Sequence, residues 1–190
     1  ELPGPWQPPE DEIDERVRLG KGPVTPDGEM GEEKYRVVTE GPPNWTSFRD
    51  FWKMFYDEGA VVVASTYSKV GGLYDFGFRH DADHPLESLA DYCLGCYTNL
   101  NLPSRVDMIC KYMDEYQADG LLINSIKSCN SFSAGQLLIL REVEKRTGKP
   151  AAFIETDLVD PRYFSAANVK NRLESYFQMI KQKRAAGVAH

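Results

Sequence analysis

Ala60-Val-Val-Val-Ala-Ser65 places three β-branched residues side by side with no polar interruption. A strand with one face in water alternates apolar and polar residues, so an unbroken run of this kind calls for a parallel strand covered on both faces. Coverage on both faces requires helices above and below one sheet. The pattern around the run supplies them: Tyr35-Arg-Val-Val-Thr39 reads as a strand, Ser47 to Glu58 as a helix, and with Ala60 to Ser65 they make a βαβ unit. The alternation continues with strands at Leu121 to Asn124 and Ala151 to Glu155. Helices are expected at Leu86 to Cys93, Pro103 to Gln117, Ala134 to Arg146 and Ala167 to Lys183. Pro103 suits the first turn of its helix, and Val106, Ile109, Cys110 and Met113 share one face. The predicted fold class is α/β, a four-stranded parallel doubly wound sheet of flavodoxin or Rossmann type with right-handed crossovers.

At 190 residues the chain suits one domain with an added arm. Residues 1–33 read as a proline-rich opening, a helix from Glu10 to Gly20 and a turn-rich connector, together an N-terminal helical arm. Residues 34–186 read as the α/β domain of a larger subunit. The opening Glu1-Leu-Pro-Gly-Pro-Trp-Gln-Pro-Pro9 resembles a linker, and the chain is expected to be a piece of a longer polypeptide.

The net charge of −7 and the absence of a basic stripe interleaved with aromatics argue against nucleic acid as a partner. No apolar run is long enough to span a membrane. Four scattered cysteines are not the dense framework of a small secreted domain, so a reducing cytoplasmic setting is expected. The dinucleotide glycine fingerprint, the Walker lysine motif and Gly-x-Ser-x-Gly are all missing, which removes three common chemistries.

Parallel sheets bind ligands at the carboxyl ends of their strands. The candidate site is therefore made by the loops Glu40-Gly-Pro-Pro-Asn-Trp45, Ser65-Thr-Tyr-Ser-Lys69, Asn124 to Ser133, and Glu155-Thr-Asp157. Within them Cys129 lies between an apolar strand and a helix, as a nucleophile, a metal ligand or a small residue filling a tight turn. Cys93-Leu-Gly-Cys96 has the spacing of a paired metal site but lacks a second pair. Cys110 reads as a core residue, and His80 and His84 as surface loop. Asp157 and Asp160 suit either acid–base chemistry or capping.

Asp119-Gly-Leu-Leu-Ile-Asn-Ser-Ile-Lys-Ser-Cys129, Gly148-Lys-Pro-Ala-Ala-Phe-Ile-Glu-Thr-Asp157 and Asn171-Arg-Leu-Glu-Ser-Tyr-Phe177 resemble the carboxyl-terminal part of the benzoyl-CoA reductase and 2-hydroxyacyl-CoA dehydratase family. Val70-Gly-Gly-Leu-Tyr-Asp75, Gly77-Phe-Arg-His-Asp81 and Asp91-Tyr-Cys-Leu-Gly-Cys-Tyr-Thr-Asn99 extend the resemblance, which runs from about Asp14 to about Arg184. It implies a cytoplasmic, anaerobic oxidoreductase of several subunits acting on an acyl-CoA. Two homologous subunits each hold a 4Fe-4S cluster through three cysteines, ATP is hydrolysed by separate activator subunits, and ferredoxin is the donor. The reaction implied is a two-electron reduction of the aromatic ring of benzoyl-CoA to a cyclohexadiene carbonyl-CoA.

By this resemblance Cys129 is the one cluster ligand in the chain, and the remaining cysteines lie outside it. Trp45, Tyr67, Asn124, Ser125 and Asp157 are expected to line the substrate pocket, with Lys127 and Asp157 as candidates for proton delivery. Three alternatives stay open: a 2-hydroxyacyl-CoA dehydratase subunit, a scaffold fragment with no activity by itself, or a local cluster held by Cys93, Cys96 and Cys129.

Overall fold

A computed structural model describes residues 18, 19, 24, 25, 28, 29, 32–67 and 72–187. The proline-rich opening and most of the helix expected from Glu10 to Gly20 lie outside the described residues. Within the expected connector, strands β1 (Val24–Thr25) and β2 (Gly28–Glu29) pair antiparallel.

Four strands form one all-parallel sheet: β3 (Tyr35–Glu40), β4 (Ala60–Ser65), β5 (Gly120–Ile126) and β6 (Ala151–Thr156), in the order β4-β3-β5-β6. The α/β expectation and the parallel sheet are thus found. All of β5 is buried, as its position inside the sheet requires. It runs two residues beyond the Asn124 end expected from the sequence, because Ser125 and Ile126 still pair with Glu155 and Thr156.

Helices cover both faces. On one side α1 (Phe48–Asp57) and α6 (Ala166–Gly187) contribute Phe51, Phe55, Val169, Leu173, Tyr176, Phe177 and Ile180, packed on Val37, Leu122 and Ile154. On the other, α3 (Leu102–Glu115) and α5 (Gln136–Thr147) pack Val106, Ile109, Tyr112, Met113, Ile139 and Val143 on Val38, Leu121 and Ile123. Each buried side chain of this size stabilises the fold by about 1.5–3 kcal/mol before entropy is counted. Asn101 starts α3 by accepting from Ser104 N at 3.0 Å, and Pro103 sits in the first turn.

The helix expected from Ala134 to Arg146 is found as α5, starting two residues later. A short α4 (Asn130–Ser133) precedes Gly135, which stands at φ +81, before α5 begins. A side chain at Gly135 would also meet Leu102. The helix expected near Leu86 is α2 (Pro85–Leu94), inside the long excursion between β4 and α3.

Candidate active site at the carboxyl edge of the sheet

In the strand order β4-β3-β5-β6 the chain moves outward from β3 to β4 and then returns to β5 on the other side. The winding direction therefore reverses between β3 and β5, where doubly wound sheets open a crevice at their carboxyl ends. Gly41, which follows β3, adopts φ +94, and a Cβ there would stand 2.2 Å from the main-chain oxygen of Asn124. Asn124 ties this edge together. Its Nδ2 donates to Pro42 O at 2.6 Å, and its Oδ1 accepts from Thr156 Oγ1 at 2.9 Å, so one amide joins the ends of three strands.

Beside that junction lies an apolar cavity of about 420 Å³, within the range of small-molecule sites. Its walls include Trp45, Phe48, Trp52 and Tyr67, with Asn124 and Gly41 at its base. Trp45 and Phe48 stack with ring centroids 5.3 Å apart and planes 8° from parallel, and Tyr67 meets Trp45 edge-on at 6.3 Å. The cavity has flat aromatic faces and few polar groups.

On the opposite face the chain turns from β5 into α4 at residues 127–130. Cys129 is half-buried there against the α3/α5 core. The turn is held on two sides. Asp157 accepts from Ser128 N at 3.0 Å, and from Val159 N and Asp160 N, both at 3.1 Å. Arg105, buried on α3, donates to Ser131 O at 3.0 Å, Thr98 O at 2.6 Å and Leu100 O at 3.1 Å. The bonds to Ser128, Val159 and Asp160 hold the Asp157 carboxyl down at about 2, so it stays ionised near neutrality.

Between the two regions sits Glu40, the last residue of β3 and fully buried. Tyr97 Oη donates to its Oε1 at 3.0 Å, and Gln136 Nε2 donates to its Oε2. Desolvation raises the Glu40 carboxyl from 4.5 to about 7 against the opposing effects of Gln136, Tyr97 and the Arg105 cation. Tyr97 in turn stacks on Phe132 of the Cys129 turn, centroids 5.9 Å apart.

The sequence profile of the family described as 2-hydroxyglutaryl-CoA dehydratase, D-component, matches residues 10–180. The chain belongs to the 2-hydroxyglutaryl-CoA dehydratase D-component family. It is 80% identical over 174 residues to a subunit of the benzoyl-CoA reductase of Thauera aromatica, covering 92% of this chain and 40% of that protein. Two dehydratase subunits are more distant. The lactoyl-CoA dehydratase subunit alpha of Anaerotignum propionicum is 25% identical over 177 residues, covering 93% of this chain and 40% of the relative. The (R)-2-hydroxyisocaproyl-CoA dehydratase alpha subunit of Clostridioides difficile is 25% identical over 174 residues, covering 92% and 40%. The chain spans about two fifths of the length of these curated relatives.

The described side chains do not complete a metal site by themselves. Among the described residues no three His, Cys, Asp or Glu side chains group to hold a metal ion. The Cys93–Cys96 segment does fold back to the carboxyl edge, since the adjoining Tyr97 reaches Glu40. Its thiols nevertheless stay apart from a third ligand: Cys93 is exposed and Cys96 Sγ donates to Tyr92 O at 3.5 Å. Burial, followed by the neighbouring Cys93, pushes the Cys96 thiol up. Among the described residues, then, neither the Cys93–Cys96 pair nor Cys129 belongs to a set of three such side chains.

Of the five residues expected to line a pocket, Trp45, Tyr67 and Asn124 line the aromatic cavity. Ser125 does not. Successive residues of a strand face opposite ways; because β5 continues through Ser125, that residue falls with Leu121 and Ile123 on the α3/α5 face. Asp157 is not among the cavity-lining residues either, and its carboxylate organises the two adjoining turns. Lys127 is exposed, 3.9 Å from Glu155 and 5.0 Å over the Tyr163 ring. Sequence reasoning placed Glu40 in a candidate loop but gave it no role of its own. The available signal was its parity, since two residues after Val38 on an interior strand it falls on the same buried face.

Proposed function

We propose that this chain is the carboxyl-terminal part of a subunit of an ATP-driven, ferredoxin-dependent benzoyl-CoA reductase. The complete assembly adds two electrons from reduced ferredoxin and two protons to the aromatic ring, giving a cyclohexadiene carbonyl-CoA. The supporting observation is the 80% identity over 174 residues to a benzoyl-CoA reductase subunit, against 25% to the dehydratase subunits. The partners in this reading are a homologous subunit and separate ATP-hydrolysing activator subunits.

Cys129 is one ligand of a 4Fe-4S cluster whose other cysteines come from outside these residues; when bound, such a cluster supplies single electrons at low potential. The chain's own contribution is the wall around it. Phe132 and the α3/α5 core exclude water from one side of Cys129, and the Asp157 and Arg105 bonds fix the turn. The cavity of Trp45, Phe48, Trp52 and Tyr67 suits a flat aryl group, which stacking and desolvation would hold away from water. Asn124, whose polar atoms are already engaged, shapes its base.

The test uses the full-length subunit containing this chain, assembled anaerobically with its partners and supplied with ATP and reduced ferredoxin. Consumption of benzoyl-CoA with formation of the cyclohexadiene thioester is expected. Dehydration of 2-hydroxyacyl-CoA without ring reduction would replace this reading with that of the family's dehydratases. In the same assembly Cys129→Ser is expected to lower iron content and cluster absorbance in that subunit. Undiminished iron would remove the ligand assignment, and iron bound by the present chain alone would favour a local cluster.

A further inference from the structure

Neither the cluster wall nor the aromatic cavity uses Glu40, although it is a fully buried carboxyl at the point where the sheet's winding reverses. A carboxyl inside a core is costly unless it is paired or neutral. Here the pairing is specific, and every partner leads to the Cys129 turn. Tyr97 donates to one oxygen and stacks on Phe132, three residues past Cys129. Gln136 donates to the other oxygen and opens α5, the helix that follows the turn. The Arg105 cation acts on Glu40 and donates to Ser131 O, within the turn's short helix. Three links from three different elements thus join one carboxyl to residues 131, 132 and 136.

Gln136 Oε1 is buried without a hydrogen-bond partner while its Nε2 faces Glu40. That orientation suits an ionised carboxylate, which only accepts. A protonated carboxyl offers an O–H, and the orphaned oxygen accepts it once the amide turns over. The two protonation states therefore call for two arrangements of the residue that starts α5.

We propose that Glu40 is a positioning residue whose protonation closes the Cys129 turn onto the sheet edge and whose ionisation loosens it. The direction follows from desolvation. An ionised carboxylate gains from water, so opening the turn is favoured once the proton leaves; the neutral form has no such incentive. Negative charge arriving at this edge would further raise the proton affinity of Glu40, so charge and proton uptake move together. The meaning for catalysis rests on reading this edge as the reactive site, but the placement of the turn does not.

The charged and titratable groups facing Glu40 are Tyr97 and Arg105, with Gln136 as the neutral partner on α5. Tyr97 is held well above its usual range by burial and by Glu40 itself, so it stays neutral near neutral pH. His80 and His84 lie in the excursion between β4 and α3, where their ring partners are Tyr74, Ser88 and Asp81.

The test is hydrogen–deuterium exchange of the peptide covering residues 127–136, measured on this chain from mildly acidic to mildly alkaline pH and corrected for the intrinsic exchange rate. Protection is expected to fall by on the order of tenfold as pH rises, in a single step centred near neutrality. Glu40→Gln should abolish the step and keep the protection seen at low pH. Tyr97→Phe, which removes a donor to the carboxylate, should move the step to higher pH. A step that survives in Glu40→Gln, or a flat wild-type profile, overturns the proposal.

Should Glu40→Gln fail to fold, the wild-type infrared spectrum decides. A protonated-carboxyl carbonyl band must disappear with rising pH along the same curve as protection, and its absence at low pH is equally fatal. None of these measurements needs a cluster or substrate. A failed reductase assay and a failed exchange experiment are therefore distinguishable.

Discussion

Tyr97 donates a 3.0 Å hydrogen bond to Glu40, joining a short 3-10 segment to the end of a sheet strand across 57 residues of sequence. The bond favours the ionised carboxylate, yet burial outweighs it and leaves the group at about 7. With a folded-state value above the unfolded one of 4.5, stability is fully present below about 4.5 and is lost as pH rises through 7. At about 1.4 kcal/mol per unit the ceiling on this loss is about 3 kcal/mol. Urea unfolding of the wild-type chain should accordingly show falling stability from pH 5 to pH 8. Glu40→Gln, whose new amide can donate to the orphaned Gln136 oxygen, should show no such slope from this source. A slope equal to that of the wild type contradicts the assignment.

Asp157 carries the opposite sign. Its carboxyl is held down at about 2 from 3.8, first by Ser128 and then by Val159 and Asp160. Its contribution is present above pH 4 and is lost as pH falls through 2. Asp157→Asn should be less stable than wild type at neutral pH, and the difference should shrink in acid. Circular dichroism of both proteins from pH 7 to pH 2 is the measurement, and a gap that stays constant with pH would mean that charge is not the cause.

Much of the architecture was legible because it rests on periodicity. The valine run at 61–63 demanded a sheet covered on both faces, and the apolar stripes of the later helices supplied the covers. Boundaries were harder, since they depend on partners. β5 continues through Ile126 because β6 is beside it, and the helix expected from Ala134 starts two residues later, after Gly135 takes a positive φ. The residues expected at strand ends do lie at the carboxyl edge of the sheet, but face depends on where a strand stops, and two more residues of β5 put Ser125 on the other side. Glu40 shows the limit most clearly. A carboxyl at a strand end is visible in sequence, whereas partners 57 and 96 residues away, and their effect on its proton, are set by tertiary packing.

The close approach of β3 and β5 makes Gly41 a point of no tolerance. Gly41→Ala combines φ +94 with a Cβ 2.2 Å from a main-chain oxygen, which cannot step aside as a flexible side chain would. A loss of about 3 kcal/mol or more is expected. Gly148→Ala is the control: it also has positive φ, at +66, but opens into free space. There only the left-handed conformation costs, about 1 kcal/mol. Denaturation midpoints of the two variants should separate clearly, and equal midpoints would show that the sheet edge relaxes.

Trp45 tests the cavity with little risk to the fold, because half of its surface is exposed and it is not part of either core cluster. Its face lies parallel to Phe48 at 5.3 Å and forms one wall of the apolar cavity beside Asn124. If an aryl thioester binds there, removing the indole forfeits a stacking contact worth about 1 kcal/mol, a factor of about five in affinity. Trp45→Ala in the assembled enzyme should raise KM for benzoyl-CoA by about that factor and change kcat much less. Trp45→Phe should recover most of the loss, since it restores a flat ring at the same wall. An unchanged KM in Trp45→Ala would move the ring to another part of the assembly and leave this cavity without a substrate role.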